Sequence, residues 1–227
     1  MDNRLTKIIT KQSEYFNEWT NLINSYRQAP YSDMEISEED AIKLLYEVVN
    51  VFFKISEMAL EFGNFKDDFE SDKFSQNFYG PELIINSKKT RSSYYLGLEE
   101  TGLYLRTYFQ HSKNLKNMDD KFWIDFLKLS EYGEFELIEN EHFGKTIKGK
   151  YPDLFQINKG AIFRIFRKYF IGIAENNEVG DLGQLQVSWT PDFSIDKIIE
   201  ECCLVFKIFY KLNYSLWKID DLKSKKK

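Results

Sequence analysis

The sequence predicts a single all-α domain, residues 1–227, built as a bundle of about six helices. Three observations carry this. Aromatic residues make up 17% of the chain, with 20 Phe, 14 Tyr and 4 Trp, enough ring surface for a sizeable core. Gly (11) and Pro (4) are scarce, against the habit of turn-rich β folds. In most segments the apolar residues recur at three- and four-residue steps, the period of an amphipathic helix.

Each element follows from that spacing. Residues 4–28 read as a first helix through Leu5, Ile8, Ile9, Phe16, Trp19, Leu22, Ile23 and Tyr26. Ser37-Glu38-Glu39-Asp40 is a capping-box pattern that opens a second helix reaching about Gly63. Residues 64–81, ending in Gly80-Pro81, read as a packed loop or insertion, or as a short helix. Residues 82 to about 113 read as mostly helical through Tyr94, Leu98, Leu103 and Leu105. Met118-Asp119-Asp120 starts a further helix carrying Phe122, Trp123, Phe126 and Leu127. Glu134 to Ile147 is ambiguous: Glu134-Phe135-Glu136-Leu137 alternates as a strand does, yet no partner strand is evident. Residues 159–174 form a strongly apolar helical pattern, and 175–193, with Gly180, Gly183 and Pro191, a long loop. Ser194 is placed to cap a final helix running through Phe206 to Trp217.

Charge divides unevenly along a chain of net charge −5. Residues 31–72 hold 12 acidic and 3 basic side chains, whereas 145–169 hold 7 basic and 1 acidic. Both stretches read as solvated faces. Alternatively the basic one attracts a polyanion, and the acidic one, around Glu35–Asp40 and Asp67–Asp72, meets a basic protein. The overall acidity argues against a generally basic nucleic-acid binder. Cys202 and Cys203 are adjacent, a poor geometry for a mutual disulfide, and they fall in the apolar pattern of the last helix. A reducing, cytoplasmic setting is therefore expected. The opening residues hold no apolar run of signal-peptide type, and no stretch is long and apolar enough to span a bilayer, so no membrane partner is expected.

Common chemical signatures are missing: no Walker A loop, G-x-G-x-x-G, H-E-x-x-H, G-x-S-x-G or C-x-x-C occurs. Two histidines and one adjacent cysteine pair make a zinc site improbable, and the acidic row Glu131, Glu134, Glu136, Glu139, Glu141 reads as a solvated face. His142 has no evident partner. No cofactor or metal is expected.

One motif remains. Leu105-Arg106-Thr107-Tyr108-Phe109-Gln110-His111 sets an arginine and a histidine five positions apart, with four residues between them. The run resembles the Arg-x(4–6)-His motif of the HEPN superfamily, all-α domains many of which are metal-independent endoribonucleases. The family often has Asn or another polar group after the Arg, where this chain has Thr107, and often carries the motif nearer its last helices. The resemblance implies a toxin or phage-defence ribonuclease acting on RNA. Arg106 would stabilise charge on the phosphorane-like transition state, and His111 would move protons at the reacting oxygens. Thr107 and Tyr108 would orient the RNA, while Lys145, Lys148, Arg164 and Arg167 would steer its backbone. On an ideal helix, positions five apart point about 140° away from each other. A homodimer, as in the family, would bring two such motifs into one cleft. The alternative keeps His111 as a polar group near a helix end and Arg106 in a surface ion pair with Glu99 or Glu100. The protein is then a non-catalytic binding protein: an immunity protein, antitoxin or assembly subunit.

Overall fold

The structure, a computed structural model, describes residues 3–28, 37–76, 80–99, 102–138, 165, 184–190 and 192–225. Two helices lead the chain, α1 (Asn3–Thr10) and α2 (Phe16–Gln28), followed by the long α3 (Glu38–Gly63). Strands β1 (Phe69–Gln76), β2 (Pro81–Ser87), β3 (Ser93–Leu98) and β4 (Leu103–Tyr108) come next. Helix α4 (Asp120–Leu127), strands β5 (Glu134–Ile138) and β6 (Gln184–Trp189), and the 30-residue α5 (Ile195–Ser224) complete the described chain.

The all-α bundle, HEPN-like in architecture, is thus overturned: the protein is mixed α/β. Its strands form a six-stranded sheet among the described residues, in the order β1-β2-β3-β4-β6-β5, with every neighbouring pair antiparallel. Residues 82–108, expected to be helical, are three of these strands. The presumed loop at 64–81 contains β1, and the presumed loop at 175–193 contains β6. The ambiguous Glu134–Ile138 is a strand, and its partner is β6, about fifty residues further along the chain.

The physical reason lies in alternation. In β2, β3 and β4 the side chains Leu83, Ile85, Tyr94, Leu96, Leu98, Leu103, Leu105 and Thr107 fall on one face and are buried. The intervening positions are also large or apolar in part (Ile84, Tyr95, Tyr104), which blurs the period-2 signal. The turns are built locally. Between β2 and β3 the Ser87 hydroxyl accepts from the Thr90 amide at 2.9 Å and donates to Asp67, while Arg91 adopts a left-handed φ of 56°. At the β3–β4 turn Gly102 comes so close to Trp189 that a Cβ there would lie 1.9 Å from the Trp189 carbonyl oxygen.

Helices α3 and α5 pack against each other and against the apolar sheet face. On α3 the buried Val48, Val51, Phe52, Ile55, Ala59 and Phe62 keep the helical period. On α5 the buried Ile198, Ile199, Cys202, Phe206, Phe209, Leu212 and Leu216 do the same, and Phe206 meets Tyr94 of β3 at 4.7 Å between ring centroids. Phe65 bridges the two layers, 4.3 Å from Tyr210 of α5 and 5.6 Å from Phe69 of β1. Each such ring pair adds about 0.5–1.5 kcal/mol beyond simple burial.

The expected helix boundaries hold at three starts. Ser37 caps α3 by accepting from the Asp40 amide at 3.1 Å, Asp119 caps α4 by accepting from the Phe122 amide at 3.0 Å, and α5 begins after Ser194, although that side chain makes no capping bond. The first helix is broken in two, with a short 3-10 turn at Ser13–Tyr15 ahead of α2. The apolar pattern of 159–174 lies outside the described residues, apart from a fully buried Ile165 in helical conformation. Both cysteines are free and buried, and burial raises both thiols, Cys203 to about 12. No described helix is long and apolar enough to cross a membrane.

Candidate functional site

Strand β4 carries Arg106 but not on the helix-covered face. Alternation sends Thr107 toward α5, where its hydroxyl accepts from the Asn213 amide at 3.2 Å and donates to the Ser93 carbonyl at 2.8 Å. Tyr104, Arg106 and Tyr108 therefore share the opposite face, in register with Tyr95 of β3 and Gln186 of β6 on either side of Arg106.

That face holds a closely knit polar cluster. The Arg106 guanidinium donates to the carboxylate of Glu82 on β2, and the Tyr104 hydroxyl donates to the same oxygen at 2.6 Å. The Arg106 side chain is 20% exposed and that of Glu82 6%. The guanidinium carbon lies 4.8 Å from the centroid of Tyr104 and 5.6 Å from that of Tyr95. Gly97 makes room for this arrangement, since a Cβ there would meet the Tyr104 hydroxyl at 2.6 Å. Burial, followed by hydrogen bonding to Glu82, pushes the Tyr104 phenol well above its usual range. Glu99 borders the cluster; burial raises its carboxyl, and a hydrogen bond from Gln186 and the Arg106 charge oppose the rise. Of the two expected ion-pair partners, Glu99 is displaced by Glu82 and Glu100 lies outside the described residues. Within this cluster Arg106 Nε and the Gln186 side-chain oxygen have no hydrogen-bond partner.

His111 belongs to a different place. It precedes a 3-10 turn, Ser112–Asn117, and is wedged between the β2–β3 turn and the C-terminal part of α5. Its Nε2 is 3.0 Å from the Thr90 carbonyl oxygen, and its Nδ1 is 3.0 Å from Asp220 Oδ2. Lys113 reaches the same Asp220 oxygen at 3.4 Å, and Asn114 donates to the Leu216 carbonyl at 3.0 Å. Burial alone would raise the Asp220 carboxyl, but Asn114, His111 and Lys113 together hold it below the ordinary aspartate value.

The two motif residues thus have separate partners. Arg106 faces Glu82 on the polar side of the sheet, and His111 faces Asp220 on the helix side. Thr107 is fully buried beneath α5, where it cannot orient an RNA. Tyr108 stays on the Arg106 face, edge-on to Tyr95 at 5.9 Å and hydrogen-bonded to Gln184. Lys145, Lys148, Arg164 and Arg167 lie outside the described residues, as does His142. Among the described residues no group of His, Cys, Asp and Glu side chains is placed to hold a metal.

A second region was not singled out by sequence spacing. Helices α2 and α3 run as a hairpin, and between them opens a groove of about 480 Å³. Its walls are Tyr15, Glu18, Trp19 and Leu22 on one side and Glu47, Asn50, Val51 and Lys54 on the other. These follow steps of three and four on both helices, the signal that a sequence reading assigns to core. Only Trp19 and Val51 are in fact buried; Tyr15, Glu18, Glu47 and Asn50 are exposed. Tyr15 stacks on Trp19, with centroids 6.3 Å apart and planes 15° from parallel. Elsewhere on this part of the surface are the exposed Glu14 before α2, the acidic first turn of α3 with Glu38 and Glu39, and the exposed Ile42 and Tyr46 of α3. None of Glu14, Glu18, Glu38, Glu39 or Glu47 makes an ion pair among the described residues. Lys54, the cation at the rim, is engaged by Glu57 at 2.8 Å. The acidic stretch at Asp67–Asp72 is of another kind, since Asp67 is tied to Ser87 and to the Lys89 amide.

A search of protein-family models, of curated proteins and of solved structures found no match to this chain.

Proposed function

We propose that this is a non-catalytic binding protein that holds a basic protein partner on the acidic, aromatic face of α2 and α3. The observation that carries the reading is the exposed carboxylates Glu18 and Glu47 lining a groove with an exposed ring, together with Glu38 and Glu39 in the acidic first turn of α3, none of which makes an ion pair among the described residues. Unpaired surface charge of one sign steers an oppositely charged partner, and an apolar floor supplies the area that holds it. The Arg-x4-His pair supports a structural role better than a catalytic one. The Arg106 charge is spent on Glu82, and both ring nitrogens of His111 are taken by protein groups.

The test is capture from cells that produce the protein, followed by identification of co-purifying chains. The reading expects a basic protein that is retained by the wild type and released when Glu38 and Glu39 are both changed to Lys. The rival ribonuclease reading makes a different demand. Metal-free RNA cleavage by the wild type, lost in His111→Ala while the fold persists, would favour it and remove the binding-only assignment.

A further inference from the structure

The groove between α2 and α3 has the chemistry of a site for one kind of side chain. We propose that it takes the guanidinium of an arginine presented by the basic partner; this rests on the binding reading above.

The argument starts at the floor. Trp19, Leu22 and Val51 form an apolar bed, and Trp19 is only 7% exposed. A linear aliphatic stem lies well on such a surface while its charged end remains in water. Above the bed stands Tyr15, 43% exposed and backed by the nearly parallel Trp19 ring. An aromatic face attracts a cation, and a planar guanidinium adds stacking that an ammonium lacks. Carboxylates rise on both walls, Glu18 from α2 and Glu47 from α3, with the Asn50 amide beside Glu47. A guanidinium has five donors in a fixed fork and serves two carboxylates at once. The groove volume, about 480 Å³, exceeds one side chain and leaves room for neighbouring residues of the segment that carries it. Lys54 does not fill the site, because its ammonium is held by Glu57 one turn along α3. A bound anion would face Glu18 and Glu47, and a wholly apolar segment would bury both carboxylates without partners.

The experiment uses the full chain and three dye-labelled twelve-residue peptides that differ only at two positions: arginine, lysine or citrulline. Fluorescence anisotropy gives the affinities, and the Trp19 indole resonance reports the location. The arginine peptide is expected to bind about fivefold more tightly than the lysine peptide. The citrulline peptide, isosteric but neutral, should show no saturable binding. Glu18→Gln and Glu47→Gln are each expected to weaken the arginine peptide by about fivefold, with circular dichroism unchanged. Glu134→Gln on β5 should leave binding as it was. Equal affinity for arginine and lysine overturns the inference. So does an unchanged affinity in both glutamine variants, or a Trp19 resonance that does not move. If those variants bind normally while Glu38→Lys with Glu39→Lys abolishes binding, the acidic-face reading stands and the groove assignment falls. If none of the peptides binds at millimolar concentration, both fall.

Discussion

Two charged regions of this molecule contrast with each other. On the sheet, Arg106 and Glu82 are sequestered, matched one to one, and enclosed by Tyr95 and Tyr104. On α2 and α3, Glu18, Glu38, Glu39 and Glu47 are exposed and make no ion pair among the described residues. The first arrangement has its partner within the chain, so its electrostatics are directed at the fold. The second leaves its electrostatics directed outward. Removing a member of a buried pair strands the other charge, whereas removing an exposed charge changes only what the surface attracts.

The sharpest way to break this contrast is Arg106→Met. It strands Glu82 in a site where that side chain is 6% exposed, and a loss of about 3–5 kcal/mol in chemical denaturation is expected. Stability equal to wild type would show that the pair is not sequestered as the geometry implies. Gly102→Ala follows. Its Cβ collides with the Trp189 carbonyl at a left-handed φ, so a loss of about 2 kcal/mol is expected from thermal unfolding. His111→Ala removes the ring that sits between the Thr90 carbonyl and Asp220, which keeps Lys113, at about 1–2 kcal/mol. Faster hydrogen exchange confined to the end of α5 would identify the cause.

The fourth measurement is stability against pH. Burial would raise Asp125 too, yet Lys211 and Lys128 hold it below its ordinary value, as His111 and its neighbours hold Asp220. A carboxyl depressed in the folded state contributes fully above the ordinary aspartate value and loses that contribution as pH falls through the folded one. Stability should therefore decline on acidification below about pH 4, and Asp125→Asn should flatten that decline. A decline as steep in the variant as in the wild type would remove Asp125 from the account. The smallest effect belongs to the other region. Glu47→Gln should move stability by less than about 0.5 kcal/mol while weakening capture of the proposed basic partner, most visibly at low salt.

How much of this was legible beforehand depends on the range over which each signal acts. The starts of α3, α4 and α5 were readable, because a cap is a local event between one side chain and the next few amides. The strands were not. In β4 the outward positions are Tyr104, Arg106 and Tyr108, whose rings mask the alternation with Leu103 and Leu105. In β5 the alternation was visible, but its partner β6 is remote in sequence, and pairing across such a gap leaves no local trace. The Arg106–His111 spacing was visible as well. Its geometry rested on the secondary structure beneath it: a strand and a turn send the two side chains to different faces. Trp19 and Leu22 show helical spacing in the sequence, yet spacing cannot tell a helix face that meets the core from one that lines an open cleft.

By itself, then, the chain determined its caps, the apolar stripes of α3 and α5, and the acidic character of the α2–α3 end, since all are set by residues within a turn or two of each other. Only the tertiary structure decided that residues 82–108 form a sheet, that Arg106 is neutralised by Glu82, and that α2 and α3 leave a cleft between them. Those outcomes depend on which distant segments come into contact, and it is contact that determines whether a given side chain is enclosed or left in water.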